Sequence, residues 1–304
     1  MPAYDVAIVG GGPAGLSAAI YMARLNRKVI LIEKGHGQTS WHQVAENFLG
    51  FPRGIPAKVL IARGTVQARR FGTTVRRGTV EKIRKVAGGF SLSGDVRCKA
   101  RSVIFCTGVS PVYPSFPGRD TYIDRSLFDC LICHGYAVRG RNVVVVGHDD
   151  ASLLTCLQLR RFTPKLVFLT NCDPESDKLS ETARKRPKRC RIPIVCGAIK
   201  AVRGRRGMMQ KVELDTGETL KAEFMFSRQN RAPNAGLAAA LGAVIEGEGH
   251  IKVDALQRTS VPMVYAAGDV CHANNHQLIS AAHQGATAAL SANEDMAGPM
   301  EKPW

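Results

Sequence analysis

Tyr4-Asp5-Val6-Ala7-Ile8-Val9-Gly10-Gly11-Gly12-Pro13-Ala14-Gly15 opens the chain on an apolar strand, a glycine turn and the start of a helix. Glu33 closes the next strand, expected over residues 28–32. The glycines have separate duties. Gly10 makes the tight turn, Gly12 lets the backbone approach a pyrophosphate, and Gly15 lets helix and strand pack closely. Pro13 and Ala14 begin a helix whose N-terminus supplies partial positive charge for phosphates, while Glu33 suits a ribose. Asn142-Val143-Val144-Val145-Val146-Gly147 starts a second strand, turn and helix on the same plan. The duplication predicts an α/β protein of two Rossmann-like, three-layer nucleotide-binding domains, the second inserted into the first. Residues 1–116 and 235–304 are expected to form one domain and residues 117–234 the other. Pro111, Pro114 and Pro117-Gly118 mark the outward crossing, and Ala232-Pro233-Asn234 the return.

Working outward, the pattern predicts helices over residues 14–25, 57–71, 151–160 and 278–293. Strands are expected over 74–80, 90–93, 102–106, 142–146, 165–169, 192–196, 211–214 and 220–226. At 304 residues the chain has room for two cores, and its 45% hydrophobic content is that of a globular protein. No apolar run is long enough to span a bilayer, and no signal peptide precedes the first strand, so a cytoplasmic location without membrane attachment is expected.

The formal net charge of +17 is concentrated. No acid lies between Thr182 and Val212, and Glu81 is the one acid between Arg53 and Lys85. Such fields draw acidic partners, although a solvated basic face would look the same. No nucleic-acid motif accompanies the charge, which argues against nucleic acid as the partner.

Nine cysteines are too few for a secreted disulfide scaffold. Cys130-Leu131-Ile132-Cys133 is a Cys-x-x-Cys beside a nucleotide fold, the pattern of a redox dithiol. A zinc half-site would need a second Cys/His pair with ligand spacing, and none is present. Cys98, Cys106, Cys156, Cys172, Cys190, Cys196 and Cys271 show no paired spacing and are expected to be inert thiols.

Near the C-terminus Val264-Tyr265-Ala266-Ala267-Gly268-Asp269 precedes a helix beginning near Gln277. Asp269 suits the ribityl chain of a flavin, and the helix N-terminus suits an anionic reduced ring. Together with Cys106-Thr107-Gly108 and Glu46-Asn47-Phe48, these segments resemble the FAD domain of the two-dinucleotide-fold flavoproteins. With the dithiol inside the second unit, nearly the whole chain resembles the low-molecular-weight thioredoxin reductase family. The resemblance implies a homodimer binding FAD through Gly10, Gly12, Pro13, Ala14, Gly15, Glu33, Lys34, Gln38, Asn47, Val80, Thr107, Gly108, Gly268, Asp269, His276, Gln277 and Leu278. It also implies that Cys133 faces the flavin and that Cys130 exchanges with thioredoxin or a similar disulfide protein. His134 stands where the family has an acid-base Asp, and a proton role suits an imidazole.

The chain departs from the family at the nicotinamide site. Gly-x-Gly-x-x-Ala becomes Gly147-His148-Asp149-Asp150-Ala151-Ser152, placing two carboxylates where a pyrophosphate would dock. Those acids suit helix capping instead. The family's His-Arg-Arg clamp aligns near Leu169-Thr170-Asn171-Cys172, which carries no positive charge, and the glycine before Pro-Asn is lost in Asn230-Arg231-Ala232-Pro233-Asn234. NADPH binding is therefore not expected. The chain looks like the NADPH-independent branch, which includes ferredoxin-dependent flavin thioredoxin reductases and the deeply rooted cyanobacterial type, and ferredoxin is acidic. An NADPH-dependent reductase with an aberrant site, an FAD-dependent dithiol oxidase using oxygen and a basic FAD-bearing sensor remain alternatives. Trp304, at the end of the sequence, is expected to pack on an open flavin face.

Overall fold

The computed structural model describes residues 3–35, 37, 39, 44–170, 178–227, 231–271 and 276–298. Gln38, Cys172 and Trp304, on which the sequence places roles, lie outside these. The chain divides into two compact units, residues 1–110 with 232–304, and residues 111–231.

The first unit begins β1 (Ala3–Val9), α1 (Pro13–Arg24), β2 (Val29–Glu33), α2 (Ala57–Arg70) and β3 (Thr74–Arg77). It continues through β4 (Val80–Val86), β5 (Gly89–Gly94), β6 (Cys98–Phe105) and β7 (Val109–Ser110). Strands β3, β2, β1 and β6 lie side by side in parallel. The first half of β6 pairs antiparallel with β5, and β5 with β4. Side chains of β1 alternate between faces, as a pleated strand requires. Val6 and Ile8 pack with Leu16, Ala19 and Met22 of α1. Ala7 and Val9 face the core that holds Ile83, Phe90 and Leu92 of the β4–β5 hairpin.

The second unit contains β8 (Leu127–Phe128), α3 (Leu131–His134), β9 (Val143–Val146), α4 (Asp150–Leu159), β10 (Leu166–Thr170), α5 (Glu181–Cys190) and β11 (Ile194–Cys196). It ends with β12 (Ile199–Arg205), β13 (Met208–Leu214), β14 (Thr219–Lys221) and β15 (Phe224–Ser227). Its parallel sheet has the order β11-β10-β9-β15-β8. Val143 and Val145 pack with Leu153, Cys156 and Leu159 of α4. Val144, from the other face, packs with Val202, Val212 and Leu220 of the antiparallel β12-β13-β14 sheet. Helices, parallel sheet and antiparallel sheet thus repeat the three-layer plan of the first unit.

The chain returns through β16 (Ala232–Pro233), α6 (Gly236–Ala240), β17 (Ile245–Glu246), β18 (His250–Ile251), β19 (Val264–Ala266) and α7 (Leu278–Met296). β19 adds in parallel to the second half of β6. Strands β7 and β16 pair antiparallel and tie both crossings to the first unit, so the boundaries fall at 110/111 and 231/232 rather than at 116/117 and 234/235.

The strand pattern also differs from expectation, and α5 and β12 stand where no element was expected. The strand expected over 220–226 is two strands in different sheets, divided at Ala222 and Glu223. Ala222 is fully buried, and the Glu223 carboxylate accepts from the backbone and side-chain amides of Asn142. The basic run from residue 181 forms helix α5 despite Pro187, because Ser180 caps it by accepting from the Ala183 N–H at 3.1 Å. Strand β12 was not expected at all.

Gly285 of α7 seats on α1, where an added Cβ would lie 2.0 Å from the Ala14 carbonyl oxygen. Gly285→Ala is therefore expected to cost about 1–3 kcal/mol through overpacking. A thermal melt followed by circular dichroism checks this; an unchanged midpoint would contradict the packing.

Candidate functional site: a flavin cradle and a dithiol

The first glycine turn is shaped by contacts no side chain could survive. A Cβ on Gly10, whose φ is +113°, would lie 2.1 Å from the Cys106 carbonyl oxygen. One on Gly15 would lie 1.9 Å from the Gly10 carbonyl oxygen. Gly12 differs, because a Cβ there would meet nothing within 4 Å, and no side chain caps α1. The first turn of α1 therefore presents backbone N–H groups to open space, the arrangement that suits a phosphate.

Other segments converge on this turn. A Cβ on Gly268 would lie 3.1 Å from the Ala14 Cβ and 3.7 Å from that of Ala281, so Gly268-Asp269 sits between the starts of α1 and α7. The Gly268 N–H donates to Gln284 Oε1 at 2.9 Å. Asn47 Nδ2 donates to Gln277 Oε1 at 2.8 Å, joining two of the expected cofactor residues. Gln277 occupies the N-cap position of α7 without a side-chain capping bond, and Leu278 is the first residue of that helix. His276, just before it, lies 6.1 Å from the buried His250 ring. Thr107 Oγ1 donates to the Asn234 carbonyl, and Asn234 Nδ2 donates back to the Thr107 carbonyl. The Asn234 N–H also donates to the Gly108 carbonyl.

Glu33 flanks the turn, since a Cβ on Gly11 would meet its Cβ at 2.7 Å. Lys34 is exposed beside it. The Val80 side chain packs in the core. Gly11, Arg77, Asn234 and Gln284 were not singled out from the sequence. Arg77 pairs with Glu33 across β2 and β3 and packs against Gly35. The third consecutive glycine was the available signal for Gly11; the others depend on contacts distant in sequence. An open helix N-terminus, an acid at the end of β2 and an Asp at the head of α7 fit FAD's phosphates, ribose and ribityl chain.

In the second unit Cys130 and Cys133 form a disulfide with Cα atoms 5.3 Å apart. Cys130 is the N-cap of α3, its Sγ accepting from the Cys133 N–H at 3.1 Å. His134 stacks face to face on Phe128, with ring centres 4.0 Å apart, and Phe128 also contacts Phe224 and Phe226. Ile132 and Tyr136 are 68% and 65% exposed, placing apolar surface beside the disulfide.

The second glycine turn is closed by its own chain. Asp149 Oδ1 accepts from the Ser152 N–H at 2.8 Å, and Ser152 Oγ accepts from the Asp149 N–H at 3.2 Å, a reciprocal cap on α4. Asp150 accepts from both the N–H and the hydroxyl of Ser180 at 2.8 Å. The Lys178 N–H donates to the His148 carbonyl at 2.7 Å.

Four of the remaining cysteines are buried thiols held above their ordinary pKa by desolvation: Cys98, Cys106, Cys156 and Cys271. Cys196 is different. It is disulfide-bonded at the exposed end of β11, which corrects its reading as an inert thiol.

These features define a flavin-dependent disulfide oxidoreductase. Residues 4–286 match the family model described as pyridine nucleotide-disulphide oxidoreductase, and the chain belongs to that family. Within it the chain is thioredoxin-reductase-like. It is 32% identical over 299 residues to the thioredoxin reductase of Treponema pallidum, covering 95% of this chain and 96% of that one. It is 30% identical over 306 residues to NADPH-dependent thioredoxin reductase 3 of Arabidopsis thaliana, covering 95% of this chain but only 57% of that longer protein. The crystal structure of thioredoxin reductase from Streptococcus pyogenes superposes with a TM-score of 0.90 at 26% identity, covering 97% of this chain and 98% of that one. No described helix is long and apolar enough to cross a membrane.

Burial pushes the Cys156 thiol up to about 12, so at pH 8 about one such thiol in ten thousand is the reactive thiolate. Alkylation of the folded protein with iodoacetamide at pH 8 should leave Cys98, Cys106, Cys156 and Cys271 unmodified, whereas prior reduction should open Cys130 and Cys133 to the reagent. Peptide mass spectrometry reads the pattern. Rapid labelling of the four without unfolding would show that they are not buried thiols.

Proposed function

We propose that this enzyme reduces thioredoxin or a similar disulfide protein through Cys130 and Cys133, drawing electrons from ferredoxin or another acidic donor rather than from NADPH. The names of its relatives support thioredoxin as the substrate. The observation that carries the donor reading is the closure of the second glycine turn. The Ser152 N–H that a pyrophosphate would take is committed to Asp149, and Asp150 adds a second carboxylate held by Ser180. A dianionic pyrophosphate would have to displace these hydrogen bonds and overcome like charge. The surplus of cations favours an acidic donor. A plant-type ferredoxin near about −400 mV lies below thioredoxin near about −270 mV, a two-electron drop on the order of 6 kcal/mol.

Bound FAD supplies the two-electron redox chemistry. Gly12, Glu33 and Asp269 would hold it, and Cys133 is assigned to its side of the dithiol. Two electrons and two protons convert the disulfide to the dithiol. The Cys130 thiolate then attacks the substrate disulfide, forming a mixed disulfide and releasing one substrate thiolate. Cys133 attacks Cys130 Sγ, restoring the intramolecular disulfide and releasing the second substrate thiol. His134, its ring fixed on Phe128, serves as the proton carrier for these sulfurs. Ile132 and Tyr136 offer the apolar surface against which a protein substrate rests. The same reading places the enzyme in the cytoplasm as a homodimer.

Anaerobic titration of the flavin absorbance tests the donor. Reduced ferredoxin should bleach the oxidised band, while NADPH at micromolar concentration should not. Rapid bleaching by NADPH would overturn the proposal in favour of the chemistry named for the Arabidopsis relative. Bleaching by dithiols followed by fast reoxidation in air would assign an oxidase instead. Separately, Cys130→Ser and Cys133→Ser should each lower disulfide-reductase turnover by at least about a thousandfold, with flavin content retained. Undiminished turnover would place the chemistry elsewhere.

A further inference from the structure

Asp129 and Arg231 form an ion pair that the chemistry above does not use. Arg231 Nη2 donates to Asp129 Oδ2 at 2.8 Å. Only 4% of the Asp129 side chain and 16% of the Arg231 side chain is exposed. Every other described ion pair has both side chains more exposed than this. Asp129 Oδ1 is buried without a hydrogen-bond partner, so the carboxylate depends on Arg231 for its compensation. The pair also sits in a wider field. Burial first, and then Asp129 and Asp124, push the Tyr113 phenol upward, while Arg231 and Arg119 oppose the shift.

The position of the pair gives it a use. β8 and β15 run parallel, with Leu127 opposite Met225 and Phe128 opposite Phe226. Asp129 follows β8 directly, and Arg231 lies four residues beyond the end of β15. The pair therefore links Asp129, directly after β8, to Arg231, which follows the neighbouring parallel strand β15 in sequence. The next residue after Asp129 is Cys130, the cap of α3, whose Sγ meets the Cys133 N–H. Holding Asp129 holds the backbone from which Cys130 projects.

We propose that Asp129 and Arg231 are positioning residues for the dithiol: their buried ion pair keeps Cys130 at the head of α3, so that the sulfurs remain within bonding reach and the couple is weighted towards the disulfide. The proposal rests on the reading of Cys130–Cys133 as the redox centre. Closing the disulfide costs less when the thiols are already held together, because the entropy of bringing them together has been surrendered on folding. Removing the Asp129 charge takes from the buried Arg231 the carboxylate to which its Nη2 donates, and the segment must shift to accommodate the change. The dithiol, which needs no fixed sulfur separation, tolerates that shift; the disulfide does not.

The test equilibrates the full-length holoprotein anaerobically in glutathione buffers. Two glutathiones reduce the protein disulfide to the dithiol and leave as glutathione disulfide. Thiols are then trapped with a maleimide, and the Cys130–Cys133 peptide is quantified by mass spectrometry. Asp129→Ala should shift the equilibrium towards the dithiol by about tenfold, the scale of coupling between residues in contact. Asp129→Asn keeps an oxygen for Arg231 but loses the charge, and should shift it in the same direction by about threefold. A thermal melt of each oxidised variant separates general destabilisation from the redox effect. An unshifted equilibrium in Asp129→Asn, or in folded Asp129→Ala, would overturn the proposal, as would equal shifts in the two. Should Asp129→Ala fail to fold, Asp129→Asn alone decides. A wild-type protein whose cysteines never interconvert with glutathione would instead sink the underlying assignment of the dithiol.

Discussion

The approach of Gly15 to Gly10 is so close that one methyl group would prevent it. That contact lets α1 begin directly above the end of β1, and the sheet, the helical layer and the cradle are arranged around the junction. Gly10 in turn lies on the Cys106 carbonyl, and Gly285 brings α7 onto α1. Three segments widely separated in sequence meet because small residues stand at each contact. The energy that secures the meeting is apolar burial on both faces of β1, where Val6 and Ile8 serve one core and Ala7 and Val9 the other.

The second unit solves the same junction differently. At Gly147, the Cβ that would be added falls 2.1 Å from the Ser152 Cβ, so helix and strand again touch. The two turns diverge in the residues just after their first glycine. In the first turn Gly12 leaves the helix N-terminus open; in the second, Asp149 and Ser152 close it with each other's backbone groups. One fold thus presents one unfilled set of donors and one satisfied set. The dithiol is carried by the unit whose own turn is satisfied, which suits a domain serving as a scaffold for Cys130 and Cys133.

Features governed by near neighbours were legible from the sequence. Both glycine turns, the helices after them and the Cys-x-x-Cys are defined within a few residues, and the expected capping by Asp149 is present. Long-range partners were not legible. The break between β14 and β15 depends on Glu223 meeting Asn142, 81 residues away. Helix α5 sets only small residues, Ala183 and Cys190, against the core amid its cations, and its cap Ser180 is held by Asp150 from another helix. The crossings shifted because β7 and β16 pair, although each is only two residues long.

The link from Asp150 to Ser180 has a consequence for how this chain can change. Asp150 opens α4 while its carboxylate holds the residue that caps α5. A glycine at 149 would strip α4 of its cap, and a neutral residue at 150 would loosen the start of α5. Each substitution towards a glycine-rich turn is therefore downhill in stability until several are made together. The two carboxylates act as a ratchet, making the present form of the second turn easier to keep than to reverse, whatever selection once favoured there.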